Sequence, residues 1–504
     1  MSRELQFFDL NEDINNQAEQ YAQPVSSIQN GYVNADVQNP DAVVVPRGGA
    51  DYESVHLDGN MENNFVGLGS YEAEAPLVSE AETELISSMR HLEHRRVLLV
   101  NTVAGTGSVG RLVTGLYDAL TDAGYECLIA YGRKESVVDG YNAYRIGSDF
   151  EVYMHGALSR TNDKHGYYSR RATKRFIEVI EDFDPDIIHL HNVHGYYLNI
   201  EILFRYLKES GRRIIWTLHD CWTFTGHCSH FEYIGCNKWQ TGCHSCEQLN
   251  EYPKSFGADN SVANYALKKE LFTGFDNLTL VTPSEWLKDR VAQSFMREYH
   301  TIVVPTGIDL TQFRPIEEEI DDSNLIFNLR NSMNLRGKHV LLGVANPWRE
   351  RKGLLQFETL AKTLDDRYAI VLLGLNDDQL NELPESIIGL ERTDSVMELA
   401  ALYSMADIYV NLTLEDTFPT TNIEALACGT PVVTYKAGGA AESIDDTCGI
   451  SVERNSIQGV IAALDKILSS KGINYTVDNC LRRARLYDKN YRFHEYIQEV
   501  YNGI

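Results

Sequence analysis

The sequence predicts an α/β protein with two doubly wound parallel sheets behind an acidic N-terminal extension. Three observations lead there. Strand-length apolar runs alternate with amphipathic helical stretches from Arg95 to Asp309, and the same alternation begins again at Lys338. The runs are continuous rather than period-two, as strands buried on both faces require. Residues before Arg95 show neither feature, and no repeat of about 20–50 residues suggests a solenoid or propeller.

Residues 1–90 carry sixteen acidic side chains against Arg3, Arg47 and Arg90, and no lysine precedes Lys134. Such a segment reads as a mobile acidic arm. The alternative is an ordered cap that packs on the body or on a protein partner through LQFFDL and DAVVVP, with EAETELISSMRHL (81–92) as a short helix. The first strand is RRVLLVNTV (95–103). A glycine-rich turn, AGTGSVG, leads from it into the helix RLVTGLYDALTDAG, which Gly124 ends. YECLIAYG, YNAYRIG, DIIHLHN (186–192), RRIIWTLHD (212–220), LTLVTPSEWL (278–287) and HTIVVPTGID (300–309) supply the remaining strands, with a helix near 199–210. The second series runs from KHVLLGVAN (338–346) through helix KGLLQFETLAKTL and strands YAIVLLGL and SIIGLER to helix SVMELAALYSMA. Strand DIYVNLT, helix TNIEALACG, strand TPVVTYK and a final helical region complete it. Expected boundaries are 1–94 for the extension, 95–309 and 310–487 for two Rossmann-like domains, and 488–504 for a terminal helix. Paired sheets of this kind hold ligands at the carboxyl ends of their strands.

Composition narrows the function. With 72 Asp+Glu against 45 Lys+Arg the formal net charge is −27, which disfavours nucleic-acid binding and polybasic membrane docking. No apolar run reaches the ~18 residues of a membrane span, and MSRELQFFDLNED has no signal-peptide core. The expected location is the cytoplasm, with at most transient membrane contact. Five of nine cysteines lie between Cys221 and Cys246. In a reducing compartment such a cluster reads as a metal site before a disulfide framework.

The most informative segment is NLTLEDTFPTTNIEALACGTPVVTYKAGG (411–439). Glu424 opens EALACGTPVV, Asp416 stands eight positions earlier, and Glu415 is one position out of that register. VANPWRERKGLLQF (344–357) is a second anchor, presenting Arg349, Arg351 and Lys352 between a strand end and a helix. Together these strings resemble the donor site of the retaining GT-B glycosyltransferases of the family 4 type, the large bacterial capsule and lipopolysaccharide group. That family carries two acidic residues eight apart and an Arg-x-x-Lys-Gly loop; Asp416 replaces its usual Glu. The resemblance covers residues 95–504.

It implies a hexosyltransferase that takes a sugar from a nucleotide-sugar co-substrate to a glycan or lipid-linked acceptor hydroxyl. A carboxylate can accept two hydrogen bonds from a ribose diol, and Glu424 suits that task. Asp416 or Glu415 would hold sugar hydroxyls as the anomeric carbon becomes oxocarbenium-like. Thr417, Phe418, Pro419 and Thr420 lead to a helix N-terminus that can meet the diphosphate. Arg349, Arg351 and Lys352 offset phosphate charge, so no catalytic metal is required. Gly105 and Gly107 bring backbone close to the donor, while Arg111 faces the diphosphate or pairs on its helix surface. His219 takes the family's strand-end histidine position, and Asp220 orients it. His191 is structural or acceptor-facing. The mechanism the resemblance implies is front-face substitution, with the departing phosphate taking the acceptor proton.

Cys228, Cys236, Cys243 and Cys246 form C-x7-C-x6-C-x2-C within a 221–250 insertion. Four thiolates so close together suit a structural tetrahedral Zn²⁺. Two disulfides or free buried thiols are the alternatives, and Cys221, His227, His230 or His244 could replace a ligand. DKNYRFHEYIQEVY (488–501) is amphipathic; the resemblance has it cross back onto the first domain. Competing functions are a nucleotide-sugar epimerase, which needs no acceptor; a phosphorylase, which needs phosphate; and a weakly active scaffold that acts through its acidic arm.

Overall fold

A computed structural model of the protein describes residues 95–316, 325–470 and 473–502. The acidic extension and its expected helix at 81–92 lie outside the described residues.

The first sheet has seven parallel strands: β1 (Arg96–Asn101), β2 (Glu126–Tyr131), β3 (Ala143–Arg145), β4 (Ile187–Leu190), β5 (Arg213–Thr217), β6 (Leu278–Thr282) and β7 (Thr301–Val303). Their spatial order is β3-β2-β1-β4-β5-β6-β7. The second sheet has six: β8 (His339–Val344), β9 (Tyr368–Leu373), β10 (Ile387–Leu390), β11 (Ile408–Asn411), β12 (Val432–Tyr435) and β13 (Gly449–Val452). Here the order is β10-β9-β8-β11-β12-β13. Strand order therefore reverses between β1 and β4 and between β8 and β11. The loops that leave these four strands diverge to opposite faces and open a crevice, which is where such sheets bind ligands.

The pleat explains why the strands are apolar throughout. In β1, Leu98 and Val100 enter one core, while Val97 and Leu99 enter the core on the other face. In β8, Val340 and Leu342 face one side and Leu341 the other. Each sheet is thus covered on both faces, and the central strand residues meet apolar neighbours on either side.

Two helices that sequence patterning left unassigned, Asp149–Asn162 and Arg170–Phe183, stand between β3 and β4. The first begins with a capping box in which Ser148 and Glu151 satisfy each other's backbone amides. At the chain end, helix Lys489–Glu495 runs into a π-helical turn, Tyr496–Asn502. Phe493, Tyr496, Ile497, Val500 and Tyr501 pack into the β1 core of the first sheet. The Tyr501 hydroxyl and His189 Nδ1 are 2.6 Å apart, and Arg213 donates to the Tyr501 carbonyl at 2.6 Å. Among the described residues, no helix is long and apolar enough to cross a membrane.

Candidate active site

The loop after β8 turns through a short 3-10 segment, Glu350–Lys352, and ends at Gly353. Gly353 has φ +84°, and a Cβ there would lie 2.1 Å from the Leu412 carbonyl oxygen. Glycine lets this loop rest directly on the loop after β11. Leu414 N donates to the Arg351 carbonyl at 2.7 Å, and the Arg351 guanidinium donates to the Glu415 carbonyl at 2.8 Å. Lys352 Nζ reaches Asp416 Oδ2 at 2.6 Å, with side chains only 23% and 15% exposed. Burial lowers the Lys352 pKa despite the lift from Asp416. For Asp416, burial pulls upward, but Lys352 and Arg351 outweigh it and hold the carboxyl below its usual range. Arg349 stands further out, 3.4 Å from Glu251 on the first half.

Asp416 is fixed from behind. The Gly439 amide donates to its carbonyl at 2.8 Å, and a Cβ on Gly438, at φ +59°, would sit 1.9 Å from that same oxygen. Its Oδ1 accepts from the Phe418 amide at 3.3 Å. Pro419 then caps helix Thr420–Ala427, which carries Glu424. Glu424 Oε2 accepts from the buried Tyr403 hydroxyl at 2.9 Å. Burial raises the Glu424 pKa, opposed by Tyr403 and by Arg111, whose charge reaches it from helix Gly107–Asp122 of the first half. Sequence reasoning passes over Tyr403 and Gly438; the Gly-Gly pair closing the 411–439 string was the available signal for the latter.

The adjacent carboxylates have different surroundings. Glu415 is fully buried and faces away from Lys352. It accepts from three successive amides of the cysteine-rich segment, Phe231 at 3.1 Å, Glu232 at 2.7 Å and Tyr233 at 3.1 Å. Burial pushes its carboxyl up to about 7 against the pull of Tyr233, Arg351 and Phe231. Glu415 thus joins the two halves, while Asp416 pairs with Lys352.

Opposite these groups, Gly105 has φ +72° and is so close to Val137 O that a Cβ would lie 2.3 Å from it. Gly107, at φ +66°, opens helix Gly107–Asp122. The Thr417 hydroxyl donates to the His219 carbonyl at 2.9 Å, joining the crevice's two walls. His219 Nε2 lies 3.1 Å from His191 Nδ1, and burial pushes its imidazole down to about 4 against the pull of Asp220. Asp220 orients a histidine other than the expected one. Its Oδ2 is 3.0 Å from His194 Nε2 and its Oδ1 accepts from the Trp222 amide at 2.9 Å. Burial raises the Asp220 pKa, but His194 more than reverses this and the carboxyl falls to about 2.

The zinc expectation is not met. Among the described residues, no group of three or more His, Cys, Asp or Glu side chains is arranged to hold a metal ion. All nine cysteines are free thiols. Cys228 donates its S–H toward Cys246, Cys243 Sγ accepts from the Gly226 amide at 3.2 Å, and Cys236 packs against the first-sheet core. Spacing brings the four into one segment, where Cys228 and Cys246 meet while Cys243 and Cys236 make other contacts.

This geometry matches known proteins. Residues 328–487 fit the family described as "Glycosyl transferases group 1", and residues 109–312 fit "Glycosyltransferase Family 4". The putative colanic acid biosynthesis glycosyl transferase WcaC of Escherichia coli K12 is 25% identical over 333 residues, 63% of this chain and 76% of that protein. The alpha-monoglucosyldiacylglycerol synthase of Streptococcus pneumoniae is 31% identical over 185 residues, 34% of this chain and 40% of that protein. The Anabaena protein HepE, solved with UDP-glucose, superposes with a TM-score of 0.56 at 14% identity, covering 82% of this chain and 100% of its own. The family matches cover six of the seven strands of the first sheet, all of the second and most of the crevice residues, and the chain belongs to the group 1 and family 4 glycosyltransferases with the two-sheet GT-B fold.

Proposed function

We propose that this glycosyltransferase is a retaining enzyme that moves a hexose from a nucleotide-sugar to an acceptor hydroxyl in glycan or polysaccharide assembly. In this reading residues 95–309 form the acceptor half, residues 310–487 the donor half, and the terminal helix from 488 ties the two. The observation that carries it is the shielded Lys352–Asp416 pair with Glu424 nearby, at the strand-order reversal of the second sheet. The HepE structure with UDP-glucose supports a nucleotide-sugar donor.

Glu424 accepts hydrogen bonds from the ribose hydroxyls, its second oxygen held by Tyr403. Lys352 has three N–H donors, so a diphosphate entering beside it shares the ammonium with Asp416. Arg349, Arg351 and the backbone from Thr417 to Thr420 complete the anion site. Asp416, partly relieved of Lys352, takes the sugar hydroxyls. His219 stays neutral at physiological pH and forms the opposite wall with Asp220 and the Gly105–Gly107 turn. The bond from the anomeric carbon to the diphosphate oxygen breaks with its electron pair leaving on that oxygen. The same oxygen takes the acceptor's proton, and the acceptor oxygen bonds the anomeric carbon on the face just vacated.

Glu424→Ala tests the reading. Transfer should be abolished with the fold intact by circular dichroism, and near-normal turnover refutes the assignment. A thermal-shift panel of nucleoside diphosphates identifies the base, because ligand at 100 times its Kd stabilises by about 2.7 kcal/mol.

A further inference from the structure

We infer that the cysteine-rich segment is part of the donor-sugar site: Glu415 straps it across the crevice, and the strap presents His230 to the sugar beside Asp416. This inference rests on the proposed function and adds a sugar-binding residue and a positioning residue to it.

The strap belongs to the first half by chain position but docks on the second. Besides the three amides held by Glu415, the Arg454 guanidinium donates to the Glu232 carbonyl at 3.0 Å and to the Leu414 carbonyl at 3.3 Å. The Tyr233 side chain packs against the core of the second sheet. On its other edge, Trp286 Nε1 donates to Glu232 Oε2 at 2.6 Å. Residues 231–233 are thus gripped from both halves, and His230 is the next residue along.

His230 is itself held in place. Its carbonyl accepts from Gln248 Nε2 at 2.6 Å, and that amide's oxygen accepts from the Tyr233 hydroxyl at 2.7 Å. Its Nδ1 lies 3.0 Å from Ser229 Oγ. Nε2 has no hydrogen-bond partner among the described residues, and it is not among the sealed-off polar atoms. Asp220, Arg351, Lys352 and Asp416 all act on the ring electrostatically. Burial, reinforced by Arg351 and Lys352 and opposed by Asp220 and Asp416, takes the imidazole down to about 3. The ring is therefore neutral, and its free nitrogen can donate to or accept from a sugar hydroxyl without adding charge near the diphosphate.

Calorimetric titration of the full chain with UDP, GDP and ADP, and with UDP-glucose, GDP-mannose and ADP-glucose, separates the contributions. The nucleoside diphosphate that binds wild type should bind His230→Ala within twofold. The added affinity of its sugar conjugate should fall about tenfold, the loss of a hydrogen bond near charged groups. Glu415→Gln and Arg454→Ala should reproduce that pattern, with KM for the conjugate raised more than kcat is lowered. Adding His230→Ala to Glu415→Gln should cost little more, because both act through one contact. If His230→Ala keeps the wild-type preference for the conjugate, or if the two substitutions add in full, the inference is overturned while the proposed function stands. If no nucleoside diphosphate binds wild type, the proposed function falls and takes this inference with it.

Discussion

The Lys352–Asp416 pair can be tested by a double-mutant cycle. Lys352→Ala leaves a carboxylate that is 15% exposed without its cation, and Asp416→Ala leaves an ammonium that is 23% exposed without its anion. Breaking a fully buried pair costs about 3–5 kcal/mol, whereas an exposed pair is worth about 0–1 kcal/mol. With roughly four fifths of both side chains shielded and a 2.6 Å contact, each single substitution should cost about 2–3 kcal/mol. Replacing both removes attraction and orphaned charge together, so the double mutant should cost little more than one single and the coupling should be about 2 kcal/mol. Urea unfolding followed by circular dichroism measures this, read from the transition that the substitutions move. Initial rates on the same proteins should show kcat/KM reduced about 10²–10³-fold by Lys352→Ala. If the singles fall below 0.5 kcal/mol and add within the usual error for independent sites of about 0.3–0.5 kcal/mol, the pair is a surface contact and its role in the donor site is refuted.

Three further outcomes are expected. Gly438→Ala should destabilise the protein by more than about 1 kcal/mol and depress turnover, since the new methyl meets the Asp416 carbonyl from a left-handed backbone; an unchanged melt would exclude that close approach. His155 takes a proton only near pH 3 because of burial, with Nδ1 beside Ser169 and Nε2 accepting from the Gly166 amide. The unfolded chain binds that proton near the usual ~6.5, so the histidine's contribution is intact above that value and is lost as pH falls toward 3. Thermal melts from pH 7 to 5 should show falling stability, and His155→Gln should flatten the slope; parallel profiles would contradict this. Finally, the Cys228 S–H lowers the Cys246 thiol, whereas burial pushes Cys243 up to about 11. Iodoacetamide mapping at pH 7 should therefore modify Cys246 before Cys243.

The alternation of strands and helices was legible because strands covered on both faces must be apolar throughout, and β1 and β8 are. Lys352 falls just past a strand end as expected, whereas Glu424, expected to open its helix, lies one turn inside helix Thr420–Ala427. The choice between Glu415 and Asp416 was not legible. What separates their surroundings is three amides on Glu415 supplied from residues more than 180 positions earlier, and no local pattern encodes that contact. Zinc likewise finds no support: Cys228 and Cys246 meet, but no group of three or more ligating side chains is assembled among the described residues. Helix Asp149–Asn162 was missed because its apolar residues form no clear stripe, whereas Arg170–Phe183 was overlooked although Ala172, Phe176, Val179, Ile180 and Phe183 recur at helical spacing.

The way the halves are joined also bears on the acidic composition. With a net charge of −27, closing a crevice on a diphosphate brings negative surfaces toward a negative ligand. Beside the Arg454–Glu232 and Arg349–Glu251 contacts, two latches join the halves without a cation. Glu415 caps the amides of 231–233, and Glu442 accepts from the Glu285 and Trp286 amides at 2.8 Å each, at the N-terminus of helix Glu285–Gln293. A carboxylate on backbone N–H groups makes charge-assisted bonds with fixed dipoles and needs no arginine or lysine. In the proposed reading Lys352, paired with Asp416, and Arg349, paired with Glu251, remain beside the crevice to meet a diphosphate. Both latches also place a carboxylate of the second half on backbone of the first, so the crevice is closed by geometry already present on each wall. In the proposed reading the donor's diphosphate shares the Lys352 ammonium with Asp416, and the neighbouring guanidinium groups offset the negative charge it adds.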